Sequence, residues 1–117
     1  MKYLLLCHMQ PAAMANRPDD AEARMGEALG LYNRQLIQAG VLVAAGQLAP
    51  PHTTQRVEAG ADGVHTTAGP ALPGDTQIGG YYVIDVSDAA EATQWAGRCP
   101  IARFGALEVR QVAYAPL

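Results

Sequence analysis

The three histidines carry the best case for acid–base chemistry in this sequence of 117 residues. Imidazole changes its protonation state near neutral pH, and it therefore serves often as a general acid or base. His8 ends the first predicted strand, His52 follows two prolines in a loop, and His65 lies in a predicted hairpin. A hydrogen-bonded structural histidine is the more common role at such positions. Of the three, we take His8 as a candidate catalytic residue.

Charged side chains on two later predicted strands supply a second candidate. Asp85 and Glu108 would form a pair of carboxylates if their strands are neighbours, and Asp85 is therefore the other candidate catalytic residue. Arg110 lies two residues from Glu108, on the same strand face, where it would pair with that carboxylate or bind an anion. A structural ion pair is the simpler explanation. The sequence leaves open whether the protein is an enzyme.

Tyrosines could bring phenol groups to the same place, although at helix and strand spacing they are first of all packing residues. Together with the charged groups they define the side chains that we expect to line a ligand pocket. The predicted pocket residues are His8, Tyr32, Tyr81, Asp85, Glu108 and Arg110.

We expect neither a metal nor a cofactor. A metal site needs at least three converging ligands, and no two of the histidines have a ligand spacing. The glycines at 69 and 79–80 are not followed by the lysine and hydroxyl residue of a nucleotide-binding loop. Cys7 and Cys99 are the only cysteines, and we predict two reduced, buried thiols. Cys7 is a poor candidate nucleophile because burial in an apolar strand raises a thiol pKa.

Charge and composition exclude several classes of protein. Eight basic and eleven acidic residues give a net charge of −3, whereas a general nucleic-acid binder needs a basic surface. The apolar fraction of 50% is too high for a disordered chain. The first apolar run has about five residues, too few for a signal peptide or a membrane span. We therefore expect one folded domain, residues 1–117, in the cytoplasm, without a membrane or nucleic-acid partner.

The hydrophobic pattern predicts alternating strands and helices. In chain order the predicted elements are a strand at 2–8, a helix from Asp19 to Gly40, a strand at 41–45, a hairpin at 53–67, a strand at 81–86, a helix from Asp88 to Cys99 and a strand at 105–114. Each helix begins with an acid followed three residues later by glutamate, a pattern typical of a capping box. The loop at 69–80 is long for a compact domain, and such loops are often functional.

With right-handed crossovers this order gives a ferredoxin-like α+β fold: a four-stranded antiparallel sheet, two helices on one face, and a small hairpin. The other face would expose Tyr81, Val83, Val112 and Tyr114, a patch that is costly to leave in water. We therefore predict a homodimer whose open sheet faces enclose a cavity, a dimeric α+β barrel.

Six local strings in a fixed order carry a resemblance to a known family. They are residues 2–6 (KYLLL), 39–51 (AGVLVAAGQLAPP), 67–70 (TAGP), 79–86 (GGYYVIDV), 95–100 (WAGRCP) and 108–110 (EVR). Over essentially its full length the chain resembles the YCII-related proteins, specifically their DGPF-domain branch. The resemblance implies a dimeric α+β barrel and no established reaction.

The chain departs from the pattern of that family at two places. The sequence Asp-Gly-Pro-Phe that names the branch reads Ala68-Gly69-Pro70-Ala71 here. The wider family pairs a histidine on the first helix with an aspartate, whereas this chain has no histidine between residues 19 and 40. The acid–base chemistry of the family therefore lacks its base at that position.

The sequence is compatible with two functions. In the first, the protein binds a small molecule in a cavity between its sheet and a dimer mate. In the second, it is a non-catalytic dimeric module, regulatory or partner-binding, with ion pairs filling the barrel. The association of the family with sigma-factor-type regulators links this second function to transcription.

Overall fold

The computed structural model describes residues 1–10 and 18–116. These residues form six strands and two α-helices, together with short 3-10 helices at Pro51–Thr53 and Pro100–Arg103. In chain order the elements are β1 (Lys2–Met9), α1 (Ala21–Gln38), β2 (Leu42–Gln47), β3 (Gln55–Gly60), β4 (Gly63–Ala68), β5 (Gln77–Asp85), α2 (Ala89–Arg98) and β6 (Ala106–Gln111).

Four of the strands form one antiparallel sheet in the order β2-β5-β1-β6. Strands β3 and β4 pair only with each other, as a hairpin whose residues are exposed apart from the half-buried Arg56. The predicted four-stranded antiparallel sheet, ferredoxin-like α+β class and separate hairpin are confirmed. The apolar leucine run of β1 suits the inner position of this strand in the sheet, where strands pair with it on both sides.

Alternate residues of the inner strands face the helices. Tyr3, Leu5 and Cys7 on β1 are buried, and Tyr82 and Ile84 on β5 lie beside them. The residues between them point to the opposite, open face of the sheet, since strand side chains alternate. Both predicted buried, unpaired cysteines are confirmed, because Cys7 and Cys99 belong to this core as free thiols. A hydrogen bond to Cys99, together with burial, raises the pKa of the Cys7 thiol.

Helix α1 buries the predicted stripe, with Met25, Tyr32 and Leu36 in the core, but it begins differently from the prediction. Asp20 rather than Asp19 is the residue before the helix, and its side chain makes no capping hydrogen bond. The reason is the backbone: Asp20 is already helical (φ −89°, ψ −1°), whereas a capping side chain needs an extended residue. The helix ends before Gly40, whose φ of +72° is the left-handed stop that was predicted.

Helix α2 begins as predicted. Asp88 is extended, and its Oδ1 accepts a hydrogen bond from the backbone N–H of Glu91 at 2.9 Å. The Glu91 carboxylate in turn accepts from the backbone N–H and the hydroxyl of Ser87. The acid-plus-glutamate pattern therefore identified a real cap in one helix and not in the other.

Two strand boundaries differ from the prediction by three residues or more. Strand β5 begins at Gln77, four residues earlier, because Gln77 and Ile78 pair with the end of β1. Strand β6 ends at Gln111, where its pairing partner is Tyr3, near the start of β1. Tyr114, 81% exposed, therefore lies beyond the sheet and not on its open face. None of the helices described is both long and apolar enough to cross a membrane.

Candidate functional site

Three polar side chains form a row on the open face of the sheet. The imidazole Nε2 of His8 lies 3.1 Å from Oε1 of Glu108, and the guanidinium of Arg110 bonds to Oε2 of the same carboxylate. His8 and Glu108 are half-buried, with 28% and 36% of their side chains exposed, whereas Arg110 is 72% exposed. Both oxygens of Glu108 are therefore engaged, one by an imidazole and one by a guanidinium.

The register of two antiparallel strands produces this row. His8 on β1 is opposite Ala106 on β6, and Leu6 is opposite Glu108. His8 and Glu108 are therefore diagonal neighbours, a separation that long side chains can bridge. Arg110 follows on the same face of β6. The Glu108 contact uses one ring nitrogen of His8, and within the described residues Nδ1 has no partner. With the proton on Nε2, Nδ1 is a lone-pair acceptor.

A cavity of about 470 Å³ opens beside His8. Its walls come from the end of β1, the start of β5 and the two loops that flank the hairpin. The described lining residues are His8, Leu48, Ala49, Pro51, Thr53, Thr54, Pro70, Ala71, Leu72, Thr76, Gln77 and Ile78. Of these, His8 alone is ionisable. The cavity thus combines mainly apolar walls with an oriented imidazole and a few neutral polar side chains, as small-molecule sites commonly do.

Side-chain and backbone hydrogen bonds hold the two loops. The Gln77 amide donates to the carbonyls of Gly74 at 2.9 Å and Leu72 at 3.3 Å, which folds the second loop back on the start of β5. The backbone N–H of Gly69 donates to the carbonyl of Thr54 at 2.8 Å, joining the two loops across the base of the hairpin. The two loops that form the cavity walls are therefore held in place by hydrogen bonds.

Tyr81 shares the open face with His8 and lies toward the other edge of the sheet. It is half-buried and pairs with Leu6 on one side and Gly46 on the other. Its ring covers Gly46 so closely that a Cβ there would lie 2.7 Å from the ring. Gly46 thereby makes room for the tyrosine on a neighbouring strand.

Asp85 lies on the same face but at the far end of the sheet. It is opposite Lys2, six residues from His8 along β1, which corresponds to about 20 Å of strand. The amino group of Met1 donates to Asp85 Oδ1 at 2.9 Å, and this contact lowers the pKa of the carboxyl. Asp85 is therefore not brought next to His8 or Glu108.

Tyr32 lies on the opposite side of the sheet, under the helices. It is 2% exposed, and its hydroxyl donates to the carbonyl of Trp95 at 2.8 Å. Its ring meets that of Tyr82 edge to face at 5.4 Å between centroids, and burial raises its pKa. Of the six predicted pocket residues, the structure thus unites His8, Glu108 and Arg110 and places Tyr81 on the same face. It separates Asp85 and Tyr32 from them.

The loop residues around the cavity were not among the predicted pocket residues. Leu48, Pro51, Pro70, Leu72 and Ile78 are ordinary apolar or turn residues with no chemical motif. The signal that could have found some of them is the length of the loop between β4 and β5, since long loops in compact domains are often functional.

No group of three His, Cys, Asp or Glu side chains within residues 1–10 and 18–116 has an arrangement that could hold a metal ion. His8 and Glu108 face each other without a third ligand. An oriented imidazole such as that of His8 can form directional hydrogen bonds and transfer a proton.

Comparison with known proteins gives one family. A search of the curated proteins finds no match. The model of the YCII-related domain matches residues 1–114, which is nearly the whole chain and includes every strand and helix described above. The chain therefore belongs to the YCII-related domain family.

Proposed function

We propose that this protein binds a small, mainly apolar molecule in the cavity beside His8. The observation that carries the proposal is the pairing of that cavity with one held imidazole. About 470 Å³ lies within the range of small-ligand pockets, and its walls are largely aliphatic. His8 is the group that would make the directional contact, because its Nδ1 is free within the described part of the chain.

Glu108 and Arg110 act through His8 in this proposal. The carboxylate at 3.1 Å holds the imidazole in one orientation, and the guanidinium holds the carboxylate. Such an arrangement lets His8 accept a hydrogen bond, or a proton, from a ligand hydroxyl or acid without first having to order its own ring. The family His–Asp chemistry is not needed for this role.

A second copy of the chain would cover the open face of the sheet. That face carries the half-buried side chains of Leu4, Leu6, Tyr81 and Val83, and none of the described helices or strands forms a layer over them. Pairing two such faces would complete a dimeric α+β barrel and close the sites from that side. A Val83→Lys variant should shift the sedimenting mass from twice the chain mass of 12.3 kDa to the chain mass itself. A wild-type monomer at micromolar concentration would refute the dimer and leave the cavity proposal standing.

A ligand-detected NMR screen with small aromatic alcohols and acids tests the binding proposal. We expect at least one fragment to bind wild type saturably and to lose at least tenfold in affinity in His8→Ala. His65→Ala is the matched control, because His65 is exposed on the hairpin and does not line the cavity. If no fragment binds, or if both variants bind alike, the proposal is wrong.

One observation favours the second function, a non-catalytic module linked to transcription. The bond between Glu108 and Arg110 is the ion pair that such a module would use to fill its barrel. The same NMR screen separates the two functions, because a filled barrel would leave every fragment unbound.

We place the chain in the DGPF branch, supported by the surviving Gly69-Pro70 turn and the left-handed φ of +105° at Gly69. We also propose that residues 1–117 form one domain and that the protein acts in the cytoplasm, as its two free, buried thiols favour.

A further inference from the structure

A second cavity, larger than the first, lies on the other side of the sheet. It has a volume of about 680 Å³ and opens between α1 and the adjoining ends of β2 and β5. None of its described lining residues lines the cavity beside His8. The proposed function makes no use of this space.

The walls of the second cavity are mainly apolar, and its helical side includes glycine. Met9, Met25, Leu29 and Ile101 supply flexible, aliphatic surface. On α1 the positions that face this space include Gly26, where an added Cβ would meet no atom within 4 Å. Glycine within a helix is less favourable than alanine, so the open space is kept at the expense of helix stability.

One polar side chain in the cavity wall has an unused donor. Oδ1 of Asn33 accepts a hydrogen bond from the Tyr82 hydroxyl at 2.7 Å, which fixes the orientation of the amide. That bond leaves Nδ2 to donate, and within the described residues it has no acceptor. The Asn33 side chain is half-buried, and its Nδ2 is not sealed from solvent, so this N–H is open to an acceptor on a ligand.

We propose that this cavity is a second binding site, which takes a neutral, flat apolar molecule carrying one carbonyl acceptor. The methionines and Leu29 would pack against the apolar body, and the carbonyl would accept from Asn33 Nδ2. Methionine suits such a wall because its side chain adapts to irregular shapes. An anionic ligand does not fit, because the carboxyl group of Glu22 is at the wall and no basic side chain is among the described lining residues.

The probe 6-acetyl-2-dimethylaminonaphthalene has this chemistry, and its fluorescence shifts to the blue in apolar surroundings. We expect saturable binding to wild type with a blue shift. Gly26→Leu fills the cavity and should weaken binding at least tenfold, while it raises the melting temperature. Gly97→Leu is the matched control, since Gly97 is also a helical glycine with open space around it but lies on α2. This control should bind the probe as wild type does.

Two further variants locate the probe. Asn33→Asp keeps the acceptor for Tyr82 and removes the donor, so it should weaken binding at least fivefold without unfolding the protein. His8→Ala should leave the probe affinity unchanged, because His8 belongs to the other cavity. Absent or unsaturable binding, equal binding by the two glycine variants, or loss of binding in His8→Ala would each overturn the proposal. The fragment screen at His8 is independent of all three results.

Discussion

Gly105 packs directly against the backbone carbonyl of His8. A Cβ at position 105 would overlap that oxygen and would come within 3.1 Å of the carbonyl carbon. The backbone N–H of Gly105 is fixed as well, since it donates to the carbonyl of Ile101 at 3.0 Å. The missing side chain at Gly105 therefore sets how closely the start of β6 approaches the end of β1, and with it the position of Glu108 relative to His8.

The Gly105→Ala variant should accordingly lose about 1–3 kcal/mol in its free energy of unfolding, because backbone rather than a flexible side chain would have to move. Urea unfolding at neutral pH measures this loss. Gly97→Ala provides the contrast: its Cβ meets nothing within 4 Å, and the helix gains about 0.5–1 kcal/mol. Equal stability of the two variants would show that β6 does not depend on the Gly105 contact.

The two helix starts differ in a way that mutation can measure. Asp88→Ala removes the side chain that accepts from the N–H of Glu91, and it should cost about 1 kcal/mol. Asp20→Ala removes the side chain before α1, which makes no capping hydrogen bond and forms an exposed ion pair with Arg24. Exposed pairs of this kind contribute about 0.2–1 kcal/mol, so the Asp20 variant should be the more stable of the two in urea.

The Tyr32 hydroxyl should contribute to stability and not to the site beside His8. Tyr32→Phe removes the bond to the carbonyl of Trp95 and should cost about 0.5–1.5 kcal/mol. Tyr114→Phe, at an 81% exposed residue, should change stability by less than about 0.5 kcal/mol. Thermal and urea denaturation give both values. Weaker fragment binding in Tyr32→Phe, at unchanged stability, would instead return Tyr32 to the pocket.

The sequence predicts the sheet and helices well because their periodicities are strong and local. The stripe of Met25, Tyr32 and Leu36 on α1 is one example, and its burial was predictable. The same stripe also implied that Tyr32 belongs to the core, which conflicts with placing it in a pocket on the open face. A tyrosine can pack in the core or offer its phenol group to a ligand. Which of the two it does depends on the face of the sheet on which its side chain lies.

The pairing of His8 with Glu108 could not be predicted, because alternation fixes the face of a residue but not its register. Between β1 and β5 the register shifts after Cys7. Cys7 pairs with Gly80 and His8 pairs with Ile78, which leaves Gly79 as the extra, unpaired residue. Between β1 and β6 it depends on the close approach at Gly105. Alternation also placed Asp85 on the open face, but the distance of about 20 Å along the strand follows only from the observed pairing with Lys2.

The stability that the α2 cap contributes should be lost at acid pH. The N–H and hydroxyl of Ser87 donate to Glu91 Oε2 at 3.0 and 2.7 Å, and these bonds lower the pKa of that carboxyl below its ordinary 4.5. A carboxyl with a lowered pKa in the folded state contributes stability that is fully present above about 4.5 and is lost as the pH falls through the lower, folded value. Glu91→Gln should therefore reduce the fall in unfolding free energy between about pH 6 and the pH range below 4.5. Glu27→Gln is the control, because Glu27 is exposed on α1 and its carboxyl group makes no hydrogen bond or ion pair with another described residue. Urea titrations of the three proteins across this range test the cap, and parallel curves for wild type and Glu91→Gln would show that the Ser87 contacts do not persist in solution.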